Sequence, residues 1–177
     1  LRVKSSCLMK GYYKNPELTA TMFDEEGYLK TGDTGEVDSE GYLTIIGRVK
    51  DQFKTDKGKY ISPAPIELKL MQNTDIEQVC VVGMGVPQPI ALTVLSVHGK
   101  AKTKEEVAKS LTATLNNVNK TLESHEHVEK AIIMKSDWTV ENEMVTPSMK
   151  LKRNAIEKIH LPSYPKWYAE KETIVWE

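Results

Sequence analysis

The sequence has no cysteine spacing typical of a metal site, no excess of positive charge typical of a nucleic-acid-binding protein and no apolar run typical of a membrane-spanning helix. Its two cysteines, Cys7 and Cys80, show no metal-ligand spacing, which is typical of a protein of the reducing cytosol. A formal net charge of −1 gives no electrostatic reason to expect nucleic acid as a partner. No apolar run approaches the ~20 residues that a membrane-spanning helix needs. We therefore expect a cytoplasmic protein with no transmembrane segment and no nucleic-acid partner.

Several catalytic motifs are missing as well. There is no Gly-x-Ser-x-Gly nucleophile motif and no phosphate-binding Gly-Lys-Ser/Thr loop. The Gly83-Met84-Gly85 segment lacks the rest of a dinucleotide fingerprint and is explained by a turn between strands. The two histidines of His125-Glu126-His127 have no third ligand, so we predict no metal site there. Taken as a self-contained enzyme that uses ATP, the chain lacks its phosphate loop.

The turn signals divide the chain into two parts. Residues 1 to about 48 are rich in turns and too short to hold a core alone, and Arg2-Val3-Lys4, directly after Leu1, resembles the middle of a strand. We therefore expect a fragment from the C-terminal side of a larger protein, in which residues 1–49 are the tail of an incomplete domain. Residues 50–177 have the apolar pattern of a small domain of their own.

Apolar periodicity gives the fold class of this second part. A near-continuous apolar run at Ile76–Val82 and two further segments, Ala91–Val97 and Ala131–Met134, predict three strands. The most regular pattern follows a capping box at Thr103–Glu106, where an apolar residue recurs every three or four positions. This pattern predicts a helix with a single apolar face made of Val107, Leu111, Leu115, Val118 and Leu122. We predict an α+β lobe with a three-stranded sheet flanked by helices, preceded by a β-hairpin over residues 36–46.

Two residues beside glycine turns are candidates for ligand binding. Asp33 follows Thr31-Gly32, where a carboxylate can accept hydrogen bonds from the hydroxyls of a sugar. An Asx-turn that caps local amides explains Asp33 equally simply and is favoured when the residue is taken alone. Arg48 follows Gly47 and has the donors to reach the same ligand, although a surface ion pair is the plain alternative. Neither residue decides the function by itself.

Lysines supply a second set of candidates. Four of them fall within ten residues, namely Lys50, Lys54, Lys57 and Lys59. With Gly58 between them, they either bind phosphates or form a solvated charged surface. Lys150 follows a loop stiffened by Pro147 and precedes a short helix predicted at 152–159, and taken alone it is most simply a surface lysine.

The order of these segments resembles that of the adenylate-forming superfamily, which includes acyl-CoA synthetases, luciferases and peptide-synthetase adenylation domains. Tyr28–Asp33 resembles the family's Thr-Gly-Asp motif, Gly47–Glu67 its hinge region and Pro147–Arg153 its final lysine motif. Two departures, Met149 in place of a common Gly and one residue added in the hinge region, look more like long-chain fatty acyl-CoA synthetases. The resemblance runs through most of the chain.

The resemblance implies roles for the candidates in nucleotide chemistry. Asp33 and Arg48 would hold the ribose hydroxyls of ATP or of acyl-AMP. Lys150 would bridge toward the carboxylate and the α-phosphate during adenylation. A desolvated cation at this point, together with Mg²⁺, stabilises the negative charge that builds in the transition state.

The resemblance also implies a division of the molecule. Residues 1–49 would be the C-terminal end of a large N-terminal AMP-binding domain, and residues 50–177 a mobile C-terminal lid. Lys50 would be the hinge between them. Lys54 and Gly58 would lie on the loop that faces the thioesterification site after the lid has rotated.

The implied activity is that of an ATP-dependent acid–CoA ligase, an AMP-forming enzyme that makes an acyl-AMP and then an acyl-CoA thioester, with long-chain fatty acids as substrates. Its cofactors and partners would be ATP, Mg²⁺, coenzyme A, a fatty acid and the N-terminal domain of the same polypeptide, and peripheral membrane association of the parent stays open. The isolated fragment is predicted to be inactive. An amino-acid-activating adenylation domain and a non-catalytic module that binds nucleotide or protein remain as alternatives.

Overall fold

The computed structural model describes residues 1–177, which divide into two compact units, Leu1–Lys50 and Asp51–Glu177. This division concerns packing within the chain. That the first unit is the end of a larger domain stays a prediction.

The first unit consists of two small antiparallel sheets and one short helix. Its elements are β1 (Arg2–Val3), α1 (Pro16–Met22), β2 (Leu29–Lys30), β3 (Asp33–Val37) and β4 (Leu43–Arg48). Strands β3 and β4 form the predicted hairpin, whose turn is held by the Asp38 carboxylate, an acceptor for the N–H groups of Glu40 and Tyr42 at 2.9 Å each. None of residues 1–50 is buried, as expected for a segment too short to hold a core.

The second unit is built on a mixed sheet of four strands. These are β7 (Ile76–Val82), β8 (Ile90–Leu95), β9 (Lys130–Ile133) and β10 (Ile174–Trp176), in the spatial order β10-β9-β8-β7. Strands β7 and β8 are antiparallel, whereas β8, β9 and β10 are parallel. The predicted class is confirmed, and β10 adds a fourth strand that its length of only three residues hid from the sequence analysis.

Helices and a small hairpin surround this sheet. The hairpin strands are β5 (Phe53–Lys54) and β6 (Tyr60–Ile61), and the helices are α2 (Pro63–Leu70), α3 (Val97–Lys100), α4 (Lys104–Asn119), α5 (Arg153–His160) and α6 (Tyr164–Ala169). One-turn 3₁₀ helices occur at Val49–Asp51 and Leu161–Ser163. None of the helices combines the length and apolar character needed to cross a bilayer.

The sheet separates two hydrophobic cores, and this explains why its strands are largely apolar. Val79 and Val81 of β7 face the core shared with α2 and α4, whereas Cys80 and Val82 face the core shared with α5 and α6. Because successive side chains of a strand point to opposite faces, a sheet covered on both faces needs apolar residues at every position. The capping box at the start of α4 is confirmed, with the Thr103 hydroxyl and the Glu106 side chain each accepting from the other's backbone N–H.

Candidate functional site

Lys150 ends a tight turn of residues 146–150, here called the lysine turn. The N–H of Thr146 donates to the carbonyl of Lys150 at 2.8 Å, and the N–H of Lys150 donates to the Thr146 hydroxyl at 3.1 Å. A bridge between Val145, which is fully buried, and Leu151 closes the base of the turn. The Lys150 side chain is exposed and takes part in no ion pair. The turn therefore presents a free ammonium group on a backbone that is held in place.

The lysine turn contains a residue in a conformation that favours glycine. Met149, which the resemblance places where many family members have Gly, has φ +61°. A side chain in this left-handed region costs on the order of 1 kcal/mol. The turn hydrogen bond from the Met149 N–H to the Thr146 carbonyl, at 2.8 Å, is nevertheless formed. The departure from the family pattern thus changes the residue but keeps a backbone shape that glycine adopts freely.

A largely buried ion pair joins Glu67 to Arg153, which is the first residue of α5 and lies three residues after Lys150. Arg153 donates from Nη2 to Glu67 Oε1 at 2.5 Å and from Nη1 to the Val81 carbonyl at 2.8 Å. The same Glu67 oxygen accepts the Val81 N–H at 2.7 Å. Since β7 is an edge of the sheet, these two side chains pair with backbone groups that have no neighbouring strand. We call Glu67, Val81 and Arg153 the edge clamp.

The surroundings of the edge clamp are crowded and charged. Burial raises the pKa of the Cys80 thiol to about 12, and Cys80 Sγ lies 3.1 Å from Arg153 Nη1. Burial also raises the pKa of Glu157, against the opposing attraction of Arg153. An open cleft of about 700 Å³ lies beside the clamp, lined by Asp51, Glu67 and residues 151–155. Sequence analysis gave Glu67 and Arg153 no role, although they are the last residues of two segments that carry the resemblance.

The candidates of the first unit, Asp33 and Arg48, are brought together. They are directly opposite in the β3–β4 pair, and Arg48 Nε lies 3.0 Å from Asp33 Oδ1. Arg48 Nη2 also donates to the Thr31 carbonyl at 3.1 Å, and the Asp33 N–H donates to the Thr31 hydroxyl at 3.0 Å. The exposed fractions of the two side chains are 29% for Asp33 and 61% for Arg48. This arrangement leaves Asp33 Oδ2 free to accept hydrogen bonds from a ligand.

Lys54 and Gly58 belong to the β5–β6 hairpin of the second unit. The Gly58 N–H donates to the Thr55 carbonyl at 2.9 Å, and Gly58 has φ +80°, as a tight turn requires. Lys54 is exposed, with Nζ 5.6 Å from the centroid of the Tyr60 ring. The hairpin turn therefore offers an exposed cation beside a bare stretch of backbone.

Lys50, the candidate hinge, is exposed and lies in the one-turn 3₁₀ helix Val49–Asp51. It is the last residue of the first unit. A change of φ and ψ at this position breaks no α-helix, which is compatible with a hinge.

Comparison with known proteins gives the family. A sequence profile of the AMP-binding enzyme C-terminal domain matches residues 50–172. Long-chain-fatty-acid–CoA ligase 5 of Rattus norvegicus is 33% identical over an alignment of 174 positions that covers 88% of this chain and 26% of the rat enzyme. A long-chain-fatty-acid–CoA ligase of Mycobacterium tuberculosis is 30% identical over an alignment of 173 positions that likewise covers 88% of this chain, and 29% of the relative. The chain thus spans little more than a quarter of the length of these curated relatives.

A solved structure supports the fold. The adenylation domain of a carboxylate reductase from Mycobacterium chelonae superposes with a TM-score of 0.82 at 26% identity, covering 96% of this chain and 27% of that one.

Proposed function

The chain belongs to the AMP-binding enzyme C-terminal domain family, and from this we propose that it is the C-terminal part of an ATP-dependent acid–CoA ligase. The parent would form an acyl-AMP and then an acyl-CoA thioester. Residues 1–49 would be the end of its large AMP-binding domain and residues 50–177 its lid. Alone, the 177 residues would not activate an acid, because the phosphate loop and the acyl pocket would lie elsewhere in the parent.

The observation that carries this proposal is the free ammonium group of Lys150 on the lysine turn. A catalytic cation on a lid must enter a pocket without first breaking an ion pair of its own. Lys150 meets this requirement, because its side chain is exposed while Thr146 fixes its backbone. In the pocket, the ammonium would stabilise the negative charge that builds when a carboxylate attacks the α-phosphate of ATP.

The exposed pair in the first unit fits a sugar. We propose that Asp33 accepts hydrogen bonds from the ribose hydroxyls through its free oxygen, while Arg48 holds the carboxylate in place through Oδ1. We assign Mg²⁺ to the phosphates of ATP, where it would neutralise charge. No group of three or more His, Cys, Asp and Glu side chains in this chain offers a metal site.

The second half-reaction would use a different surface of the lid. Attack of a thiol on the acyl-AMP needs other surroundings than adenylation, and a lid that turns at Lys50 can supply both in succession. Lys54 and Gly58 are suited to coenzyme A, since an exposed ammonium can meet its phosphates and a residue without a side chain lets the thiol arm pass close to the backbone. The parent protein would work in the cytoplasm.

Long-chain fatty acids are the substrates we propose, because the rat and mycobacterial relatives are long-chain-fatty-acid–CoA ligases. An amino-acid-activating enzyme is the competing proposal. Pyrophosphate exchange by the full-length protein with a panel of fatty acids and amino acids distinguishes the two. Exchange with palmitate and none with amino acids supports the ligase, and the reverse pattern overturns it.

Substitution of Lys150 tests the mechanism. In the full-length protein, Lys150→Ala should lower the rate of acyl-AMP formation by about 10²–10³-fold. Transfer from supplied acyl-AMP to coenzyme A should be largely retained. Lys135→Ala, which removes another exposed lysine of the same unit, should leave both rates unchanged. Equal loss of both half-reactions in Lys150→Ala would show that the residue is structural.

A further inference from the structure

We infer that Arg153 is a positioning residue for Lys150, acting through its contacts with Glu67 and Val81 in the edge clamp. This inference rests on the role proposed for Lys150. It assigns the buried pair a function in the adenylation half-reaction besides its contribution to stability.

The first argument is the path of the chain between the two residues. Lys150 and Arg153 are separated by Leu151 and Lys152, and both intervening residues are held at the backbone. Leu151 bridges to Val145, and the N–H of Lys152 donates to the carbonyl of Met144 at 2.8 Å. Because the backbone between the two residues is constrained in this way, a displacement of Arg153 also displaces the lysine turn.

The second argument is the start of α5, which has no capping side chain. Lys152 occupies the N-cap position, and its side chain makes no capping hydrogen bond. Helices usually begin at Ser, Thr, Asp or Asn, whose side chains fix the first turn. Here the first residue of the helix is fixed instead by its own side chain, which donates hydrogen bonds to Cys80 Sγ, the Val81 carbonyl and Glu67 Oε1.

The third argument is the geometry of the clamp. One nitrogen of the guanidinium group donates to the Glu67 carboxylate and another donates to the Val81 carbonyl. Glu67 Oε1 also accepts the N–H of Val81. A planar fork fixes direction as well as distance, whereas a lysine ammonium acts as a point charge on a flexible stem. The clamp thereby sets the direction in which the chain runs from Lys150 into α5.

The test uses single-turnover kinetics of both half-reactions in the full-length protein. Arg153→Met should lower the maximal rate of acyl-AMP formation by about 10- to 100-fold, the usual result of displacing a catalytic group by about 1 Å. The KM values for ATP and fatty acid should stay within about threefold, since a positioning residue acts through Lys150 and not by binding either substrate. Thioester formation from supplied acyl-AMP should change little. Lys158→Met, an exposed position on the same helix, is the matched control.

A double variant separates positioning from general damage. If Arg153 acts through Lys150, adding Arg153→Met to Lys150→Ala should change the adenylation rate by less than about twofold. Multiplied effects, or equal losses in both half-reactions, overturn the inference. Should Arg153→Met fail to fold, Arg153→Lys gives the same comparison, because it keeps the charge and loses the fork. A normal adenylation rate in folded Arg153→Lys and Arg153→Met also overturns the inference, whereas a normal rate in Lys150→Ala contradicts the proposed function itself.

Discussion

Two of the chain's pairs of a carboxylate and a guanidinium group, Asp33–Arg48 in the first unit and Glu67–Arg153 in the second, differ chiefly in burial. In Asp33–Arg48 the side chains are 29% and 61% exposed, whereas in Glu67–Arg153 they are 16% and 13% exposed. Both pairs lie within segments that resemble motifs of the same family. The chemical groups are alike, so their surroundings decide what each pair can do.

The exposed pair has unused capacity for a ligand, and the buried pair has little. Asp33 keeps one free oxygen at the surface, while Arg48 divides its donors between the Asp33 carboxylate and the Thr31 carbonyl. The guanidinium of Arg153 and one oxygen of Glu67 are instead committed to each other and to the backbone of Val81. We conclude that the first pair is suited to recognition and the second to holding structure.

The largest expected difference between the pairs is in stability. Arg153→Met leaves the largely buried Glu67 carboxylate without its cationic partner, which should lower the free energy of unfolding of the second unit by about 3–5 kcal/mol. Arg48→Met breaks an exposed pair and should cost no more than about 1 kcal/mol. Denaturant titration of the 177-residue chain measures the first effect, because all three tryptophans, Trp138, Trp167 and Trp176, lie in the second unit.

The matched control is built into this measurement. Because no tryptophan lies in the first unit, Arg48→Met should leave the fluorescence midpoint where it is, and circular dichroism should follow the first unit. Similar midpoint shifts for both variants would mean that burial does not distinguish the pairs.

A smaller effect is expected from Glu157, another carboxylate near Arg153. Burial raises its pKa above the ordinary value of 4.5, so the folded protein holds this proton more tightly than the unfolded chain does. The native state is therefore penalised once the pH rises above this value, and the penalty is absent below about pH 4. Glu157→Gln should stabilise the protein at pH 7 by less than about 1 kcal/mol, since the side chain remains partly solvated.

Unfolding free energies of wild type and Glu157→Gln, measured from pH 4 to pH 7, test this sign. The gain should shrink toward zero at the acid end. A loss of stability in Glu157→Gln at pH 7 that shrinks as the pH falls would contradict this sign and show that Arg153 pairs with Glu157.

Much of the fold could be predicted because the two cores impose strong patterns on the sequence. The strand at Ile76–Val82 is apolar at nearly every position, and α4 shows one apolar face behind a capping box. Strand β10 was missed because three residues are too few for any periodicity. The hairpin of β3 and β4 could be predicted from its turn residues, since Asp38 and Gly41 fix the turn locally.

The candidate site was only partly predictable. The exposure of Lys150 could be expected from its proline-containing loop. The opposition of Asp33 and Arg48 could not, because it depends on a register shift between Thr34 and Gly35 that the turn residues do not reveal. The edge clamp joins residues 86 positions apart, Glu67 and Arg153, and no local pattern reveals such a contact. Likewise, the left-handed backbone of Met149 is visible only in the structure.

The central claim is that a lid turning at Lys50 brings Lys150 to the nucleotide for one half-reaction and removes it for the other. Lys50→Pro fixes φ near −65° and should trap one of the two arrangements, whereas Lys50→Ala leaves the backbone free. Single-turnover rates of acyl-AMP formation and thioester formation in the full-length protein test this most directly. The account predicts that Lys50→Pro slows one half-reaction at least about 100-fold and leaves the other within about fivefold. Near wild-type rates for both half-reactions in Lys50→Pro would contradict it.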